Sequence, residues 1–400
     1  MAVFIVSSQR DETYEQKLAR WWMSSRIQEL AEILNTNTIL ALSVKPPRSL
    51  LNLCTLFLVS LLLLSAPACS HVPLMAEDND NISLAMHISD ADKSWAVYGL
   101  LPQQAAHYYS LDRKEGERIY LSLFKTADPR ESQFQPSLLL IGPGLREDET
   151  PDGSPALPPG ALKLKFLLAE QKTASNATYE PFGPSSFVEL AEINITAPES
   201  GRYYAAVYGA APEGFGDNSS AGAEGSGHYG LAVGYKEEFS FTDRFVTPLR
   251  LISVYLWEGQ SLSMILIPYL LAEVIALLFF WRGQRRTSFC LAGSLAGFLF
   301  LATSASVFNQ MVFSLTRAPL CPEVYITLAI GIFHALLGVA AIRLARGEAG
   351  ILQRVLLAVI GTIALLAGSG LIIGPLLALA ASVLPSQSGN IFARAESGDQ

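Results

Sequence analysis

The sequence has few cysteines, few charged residues and no excess of basic residues. Only 16% of its residues are charged, and the net charge of −8 gives no basic surface to attract nucleic acid. One cysteine lies in an N-terminal apolar run and another in a later one, so the set predicts no disulfide framework. The four cysteines are Cys54, Cys69, Cys290 and Cys321. We therefore expect no nucleic-acid partner.

The sequence also lacks the common catalytic signatures. It contains no G-x-S-x-G, H-E-x-x-H, P-loop or C-x-x-C pattern. The five histidines are scattered and form no recognisable metal set with the cysteines. None of the long apolar runs contains aspartate, so a paired-aspartate intramembrane protease is disfavoured. The sequence thus predicts a protein that is not an enzyme, with no catalytic residues, no cofactor and no metal.

Apolar residues, in contrast, are abundant. They make up 50% of the chain, and the mean hydropathy is +0.31 despite a polar middle. Residues 50–68 have a basic flank, an apolar core and a small-x-small sequence, Ala66-Pro67-Ala68, which is typical of a cleavage site. We interpret residues 50–69 as a signal peptide or an uncleaved N-terminal anchor, without lipidation of Cys69. Residues 1–49 are then a cytosolic arm or follow a misplaced start.

Four later runs are long enough to cross a bilayer. They cover residues 261–281, 288–308, 324–344 and 355–384, and predict a four-span helical bundle followed by a polar tail at 385–400. Glycine and proline interrupt the fourth run, so we expect a kinked or tilted helix there.

The arginines flanking these runs predict the orientation in the membrane. They follow the first run and lie between the third and fourth runs, as Arg282, Arg285, Arg286, Arg343, Arg346 and Arg354. The opposite connection carries only Arg317. By the positive-inside rule the arginine-rich loops are cytoplasmic, so the region before the first run and the C-terminus should both be outside.

Between residues 77 and 247, apolar and polar residues alternate as in half-buried strands. Clusters of Gly, Pro, Asp and Ser separate nine candidate strands, and no helical pattern intervenes. The candidates are residues 82–88, 95–98, 107–111, 117–124, 138–141, 162–168, 187–193, 203–208 and 229–233. The expected fold class is a multi-domain membrane protein, with an all-β antiparallel sandwich ahead of an α-helical transmembrane bundle.

Four segments of this region follow a familiar order: residues 111–123, 136–143, 197–208 and 227–233. Together they resemble the bacterial pre-peptidase C-terminal type of sandwich, a jelly-roll-like accessory domain of secreted proteins. The resemblance implies a fold and says little about function. In these segments Gly116 and Gly201 are expected at turns that need a positive φ, and the aromatic residues after Gly201 and Gly227 are expected to fill the space between sheets.

Four of the five asparagines between Cys69 and Arg250 begin an N-x-Ser/Thr sequon. Such clustering fits an exterior glycoprotein domain, although sequons also arise by chance in polar, serine-rich sequence. The candidate glycosylation sites are Asn81, Asn176, Asn194 and Asn218.

Two ionisable residues, Glu273 and His334, fall near the middle of predicted spans. Because such groups are costly at membrane depth, we expect them to form an interhelical polar pair; a proton or ion relay is the alternative. The spans also contain GxxxG pairs, which allow close packing within the bundle or formation of a homo-oligomer. These pairs are Gly293 with Gly297 and Gly370 with Gly374.

Two functions fit these features. The first is a multi-pass protein of the cell membrane whose external sandwich binds an envelope protein or a glycan, while the bundle anchors it in membrane lipid. The alternative is a small transporter or signal-transducing subunit in which Glu273 and His334 couple the sandwich to the bundle.

Overall fold

The computed structural model describes residues 71–103, 105–145, 165–172, 176–209, 226–238, 240–282 and 287–385. All of them belong to the unit Ser60–Gln400. The predicted export signal, the segment before it, Asn218 and the polar tail lie outside the described residues.

Twelve strands in the described residues form two sheets. The strands are β1 (Val72–Met75), β2 (Met86–His87), β3 (Trp95–Leu101), β4 (Ala106–Arg113), β5 (Arg118–Thr126), β6 (Pro136–Gly142), β7 (Lys165–Leu168), β8 (Glu170–Gln171), β9 (Thr178–Glu180), β10 (Ser185–Thr196), β11 (Gly201–Gly209) and β12 (Gly227–Val233). Sheet A has the order β1-β3-β12-β5-β10-β8, with β9 also paired to β10, and sheet B has the order β2-β4-β11-β6-β7.

The sheets are mixed, so the prediction of an all-antiparallel sandwich is wrong at two places. β1 pairs with β3 in parallel, and β2 pairs with β4 in parallel. Between β1 and β3 the chain visits sheet B as β2, and this crossover lets β3 run in the same direction as β1. The other pairings are antiparallel, as in β5 with β10 and β4 with β11.

The core between the sheets follows the predicted alternation. Ile119, Leu121 and Leu123 of β5 are fully buried. Tyr203 and Tyr229, the aromatic residues that follow Gly201 and Gly227, are also fully buried, as expected. Large buried aromatic side chains contribute much of the apolar burial that holds two sheets together.

The two predicted turn glycines differ. Gly116 has a φ of +85°, which confirms the prediction. Gly201 is absent from the positive-φ residues of the described chain, so the same prediction is wrong there. A Cβ at Gly201 would lie 2.9 Å from the Cγ of Pro143, so close packing is the constraint at that position.

The predicted strand at residues 82–88 is replaced by a 3₁₀ turn and the two-residue β2. The side chain of Asn81 accepts a hydrogen bond from the Ser83 N–H at 3.0 Å and caps a 3₁₀ helix at Ile82–Leu84. A local bond from side chain to backbone therefore overrides the alternating pattern in this segment.

Six helices follow the strands in the described residues: α1 (Phe241–Trp257), α2 (Leu262–Arg282), α3 (Ser288–Leu315), α4 (Val324–Arg346), α5 (Ile351–Leu366) and α6 (Ile373–Val383). Helix α1 has no counterpart among the predicted elements and crosses the expected domain boundary at residue 247. A capping box starts it, with Ser240 and Asp243 each bonded to the other's backbone N–H.

Three helices, α2, α3 and α4, are long and apolar enough to cross a membrane. α3 is the central helix and packs against α2, α4 and α6. α2 lies at the periphery, with apolar side chains such as Leu270 and Leu271 exposed. These features identify a membrane protein by the length and composition of its helices.

The fourth predicted span is two short helices, so a bundle of four spans is not confirmed. The 16 residues of α5 rise about 24 Å, less than the roughly 30 Å of a hydrocarbon core. At the turn between α5 and α6, Gly368, Gly370 and Leu371 all have positive φ. The glycines that suggested a kink therefore reverse the chain.

The helices α5 and α6 form an antiparallel hairpin. Nη1 of Arg354, near the start of α5, donates to the carbonyl oxygen of Ser382, near the end of α6, at 2.9 Å. At the turn, the Gly370 N–H donates to Oγ1 of Thr303, near the middle of α3, at 2.8 Å. The end of α6 thus lies beside the start of α5, near the arginines that flank α4 and α5.

Candidate functional site: the junction between the sheets and the helices

Helix α1 covers the outer face of sheet A. Its last residue, Trp257, is 4% exposed and packs against Ala96, Phe124 and Ala232. Nε1 of Trp257 donates to the carbonyl oxygens of Gly99 at 3.2 Å and Tyr229 at 3.0 Å. The outer face of an antiparallel sheet commonly meets water, but here it is the docking surface for the first helix.

Glu258 follows Trp257 and is completely buried. Its Oε1 accepts a hydrogen bond from the backbone N–H of Ser186, in β10, at 2.7 Å. Removal from water disfavours the ionised carboxylate and raises the pKa of Glu258 to about 7. A titrating group therefore joins sheet A to the turn between α1 and α2.

Arg317 joins the same turn to a second part of sheet A. Its Nη1 donates to the carbonyl oxygen of Glu258 at 2.7 Å, and its Nη2 lies 3.5 Å from Oδ2 of Asp128. Hydrogen bonds from Arg130, together with the charge of Arg317, hold the pKa of Asp128 below its ordinary value. Because Arg317 follows α3, the contact ties the C-terminal end of the central helix to the loop after β5.

Two glutamines extend this polar network into the helices. Nε2 of Gln260 donates to Oε1 of Gln310, on α3, at 2.6 Å, and lies 3.3 Å from Oε2 of Glu258. Both glutamines are buried. Among the described residues, Oε1 of Gln260 and Nε2 of Gln310 have no hydrogen-bond partner. The network therefore leaves one buried amide oxygen and one buried amide nitrogen without a hydrogen bond.

A third contact joins the sheets to α4. Oγ1 of Thr327 donates to the carbonyl oxygen of Pro181 at 2.7 Å, so the hydroxyl of Tyr179, also at 2.7 Å, donates to Thr327. Tyr179 also packs against Ala318 and Val324. We call the set Asp128, Tyr179, Ser186, Glu258, Arg317 and Thr327 the junction.

A cavity of about 100 Å³ lies beside the junction, between the outer face of sheet A and α1. Tyr98, Tyr120, Phe124 and Phe187 line it, together with Glu180. Burial raises the pKa of Glu180 to about 8. No group of three or more His, Cys, Asp or Glu in the described part of the chain is placed to hold a metal ion.

No known protein family matches the chain, and no curated protein is similar to it in sequence. The junction and the cavity are therefore interpreted from their own geometry.

The structure does not bring Glu273 and His334 together. Glu273 lies on α2 and His334 on α4, and these helices pack on the central α3. Oε1 of Glu273 and Nδ1 of His334 both lack a hydrogen-bond partner among the described residues. No hydrogen bond joins the two side chains among the described residues, and the interhelical polar pair stays a prediction.

The first GxxxG pair lies where α3 meets α4. A Cβ at Gly293 would lie 2.7 Å from the Cβ of Ala345, and one at Gly297 would lie 2.8 Å from the carbonyl oxygen of Gly338. The two backbones thus approach closely within one chain.

The second pair does not lie on one helix. Gly370 belongs to the hairpin turn, with a φ of +71°, whereas Gly374 lies in α6. A Cβ at either position would approach the ring of Phe300 on α3.

Three sequon asparagines lie in the described sheets or their loops, and all are exposed: Asn81, Asn176 and Asn194. Oδ1 of Asn194 accepts a hydrogen bond from Nε of Arg118 at 2.9 Å, and the Asn81 side chain caps its own 3₁₀ turn.

Proposed function

We propose that this chain is a non-enzymatic membrane protein in which the sheet domain binds a ligand and passes the effect of binding to the helices. This is the signal-transducing alternative predicted from the sequence, except that the junction, and not Glu273 with His334, couples the sheets to the helices. The observation that carries it is Glu258, whose carboxyl bonds to β10 while its carbonyl bonds to the arginine after α3.

A passive anchor would need only a covalent linker. Here three separate contacts, at Trp257, at Glu258 with Arg317 and at Thr327, tie the sheets to α1, α3 and α4. Domains joined only by linkers are expected to move independently, whereas a large and specific interface couples their motions. The junction therefore favours coupling over simple tethering.

We further propose that the protein lies in the cell membrane with the sheet domain outside. The arginines Arg282, Arg346 and Arg354 lie at the ends of α2 and α4 and the start of α5, away from the junction. Positive residues favour the cytoplasmic side, which supports this orientation. The exposed sequons and the resemblance to pre-peptidase C-terminal sandwiches are compatible with an envelope protein or glycan as the natural partner.

Hydrogen exchange of the purified full chain tests the coupling. Leu140 is fully buried between the sheets, so Leu140→Ala should destabilise the sheet domain by about 2 to 5 kcal/mol. If the junction couples the two parts, exchange should also rise in residues 310–327. Leu100→Ala, at a position 55% exposed, serves as the matched control and should leave those residues protected.

A sheet domain that exchanges faster in Leu140→Ala while residues 310–327 keep their protection would contradict coupling. It would favour the first reading, in which the sandwich binds a partner and the helices only anchor it.

A further inference from the structure

The cavity beneath α1 has a composition unlike that of an ordinary packing defect. Empty cavities in protein cores are lined by apolar groups and stay dry. This one has two carboxyls in its lining, those of Glu180 and Glu189. At about 100 Å³ it is smaller than an engineered cavity of roughly 150 Å³ that binds benzene. It suits a compact group of a few atoms.

Glu180 has no cationic partner among the described residues. Its Oε1 accepts one hydrogen bond, from the Phe182 N–H at 3.1 Å. Glu189 differs, because its Oε2 is paired with Nζ of Lys172 at 2.6 Å. Glu237 adds further negative charge near Glu180. A poorly solvated carboxylate with like charge nearby is stabilised by any cation that enters.

Aromatic rings form another part of the wall. Tyr98 and Phe124 meet edge to face with centroids 5.8 Å apart, and Phe124 and Phe187 have centroids 4.9 Å apart. Tyr120 lies in the same lining. The face of an aromatic ring attracts cations, and sets of such rings recognise ammonium and methylated ammonium groups.

We propose that this cavity binds a small organic ammonium group, held by the Glu180 carboxylate and the surrounding aromatic rings. The ammonium can belong to a free amine or to a zwitterionic head group, since both present the same chemistry. The inference rests on the proposed function in one respect: it takes this ammonium group to be the ligand that the sheet domain binds. Occupancy of the cavity is measured separately from coupling.

The probe is trimethylammonium chloride, titrated by calorimetry into the full chain in mild detergent at pH 8.5 and constant ionic strength. The uncharged tert-butanol has a similar shape and serves as the ligand control. We expect saturable binding of trimethylammonium and none of tert-butanol. Equal binding of the two would overturn the proposal, because it would show an apolar site, and so would no binding of trimethylammonium.

Glu180→Gln keeps the shape of the side chain and removes its charge, so affinity should fall at least tenfold. The matched variant Glu189→Gln removes the carboxyl that is already paired with Lys172 and should change affinity less than threefold. Unchanged affinity in Glu180→Gln would overturn the proposal.

The wild-type protein provides a second readout that needs no variant. The other titratable groups in the lining are His71, Tyr98, Tyr120 and Glu189, and Leu251 and Val254 of α1 complete that side. Two charged groups lie close by: Glu237 near Glu180, and Arg250 of α1, which donates to the carbonyl oxygen of Pro73 in the lining. Because the pKa of Glu180 is about 8, the ionised fraction of its carboxyl, and with it the affinity, should fall about 25-fold between pH 8.5 and 6.5. An affinity independent of pH would contradict a carboxylate contact.

Phosphocholine separates the two sources of ammonium. Tighter binding of phosphocholine than of trimethylammonium would indicate a head group, and weaker binding a free amine. Binding without altered exchange in residues 310–327 would leave the site in place and contradict the coupling function. Altered exchange of residues 310–327 in Leu140→Ala, with no binding of trimethylammonium, would support the coupling function and overturn the ammonium site.

Discussion

At the scale of single residues, Glu258 makes several of the contacts that join the sheets to the helices. Its carboxyl, its carbonyl oxygen and its place between α1 and α2 all serve the junction. The sequence shows a Glu-Gly-Gln triplet between two apolar segments, which could have drawn attention to it. Its partners could not be predicted, because Ser186 and Arg317 are distant in sequence and neither belongs to a recognisable motif.

Titration of Glu258 should make the stability of the protein depend on pH. Its pKa is raised from an ordinary 4.5 to about 7 in the folded protein, so between these values the folded state keeps a proton that the unfolded state releases. The free energy of unfolding should therefore fall as the pH rises through this range, by about 1.4 kcal/mol for each unit of pKa difference. In Glu258→Gln the decline of Tm between pH 5 and 8 should become shallower.

Burial also raises the pKa of Glu180, from 4.5 to about 8, so its titration lowers the free energy of unfolding in the same direction as the pH rises through that range. Thermal unfolding in detergent at several pH values measures both effects. The exposed Glu115→Gln is the control and should keep the wild-type slope. A wild-type slope in Glu258→Gln would show that its carboxyl does not titrate in the junction.

Thr327 should be more important for stability than a typical threonine of a helix. It is fully buried and bonds to both Tyr179 and Pro181, so Thr327→Val leaves two buried polar groups unpaired. We expect a loss of about 1 to 3 kcal/mol, seen as a lower Tm. Thr362→Val is the matched control, because exposed Thr362 bonds only to the carbonyl of Ala358 in its own helix. Equal losses in the two variants would argue against the third contact.

At the scale of elements, hydrophobic length and alternation predicted much of the chain. Nearly all the long strands and the helices α2, α3 and α4 occur where the pattern placed them. Length could not show that residues 355–384 turn back, because a run of apolar residues has the same hydropathy in one tilted helix or in two short ones. The turn depends on positive φ at Gly368 and Gly370 and on a partner, Thr303, supplied by α3.

The hairpin turn should be sensitive to a single methyl group. Gly370 has a φ of +71°, and a Cβ there would lie 2.7 Å from a ring carbon of Phe300. Gly370→Ala should therefore cost about 2 to 4 kcal/mol, from backbone strain and overpacking together. Gly116→Ala is the matched control, because its φ is +85° but its Cβ would meet open space. It should cost only about 1 to 2 kcal/mol.

Thermal unfolding of the two variants in the same detergent measures the difference. If Gly370→Ala were no less stable than Gly116→Ala, the turn would not be packed against α3 as described.

At the scale of the whole molecule, the hairpin changes the expected topology. With α2, α3 and α4 as the only spans among the described helices, a hairpin that returns to its starting side would place the end of α6 on the same side as the arginine-rich loops. The four spans predicted from the sequence would place that end on the opposite side.

Cysteine labelling with a membrane-impermeant reagent can check this arrangement. After replacement of the native cysteines, single cysteines at Glu348 and Val383 should react from the same side of the membrane. A cysteine at Leu320, exposed in the turn between α3 and α4, should react from the other side. If positions 383 and 320 reacted from the same side of the membrane, residues 355–384 would form a fourth span.

The junction also has a consequence for the order in which the protein is assembled. Its groups are spread from Asp128 to Thr327, so the carboxyl of Glu258 is synthesised well before Arg317 and Thr327. Domains generally fold as they emerge, from the N-terminus onwards. The sheets can close once α1 is made, but their attachment to the helices must wait until α3 and the start of α4 are in place. A chain cut short between these points would keep a folded sheet domain in which the carbonyl oxygen of Glu258 still lacks the guanidinium of Arg317.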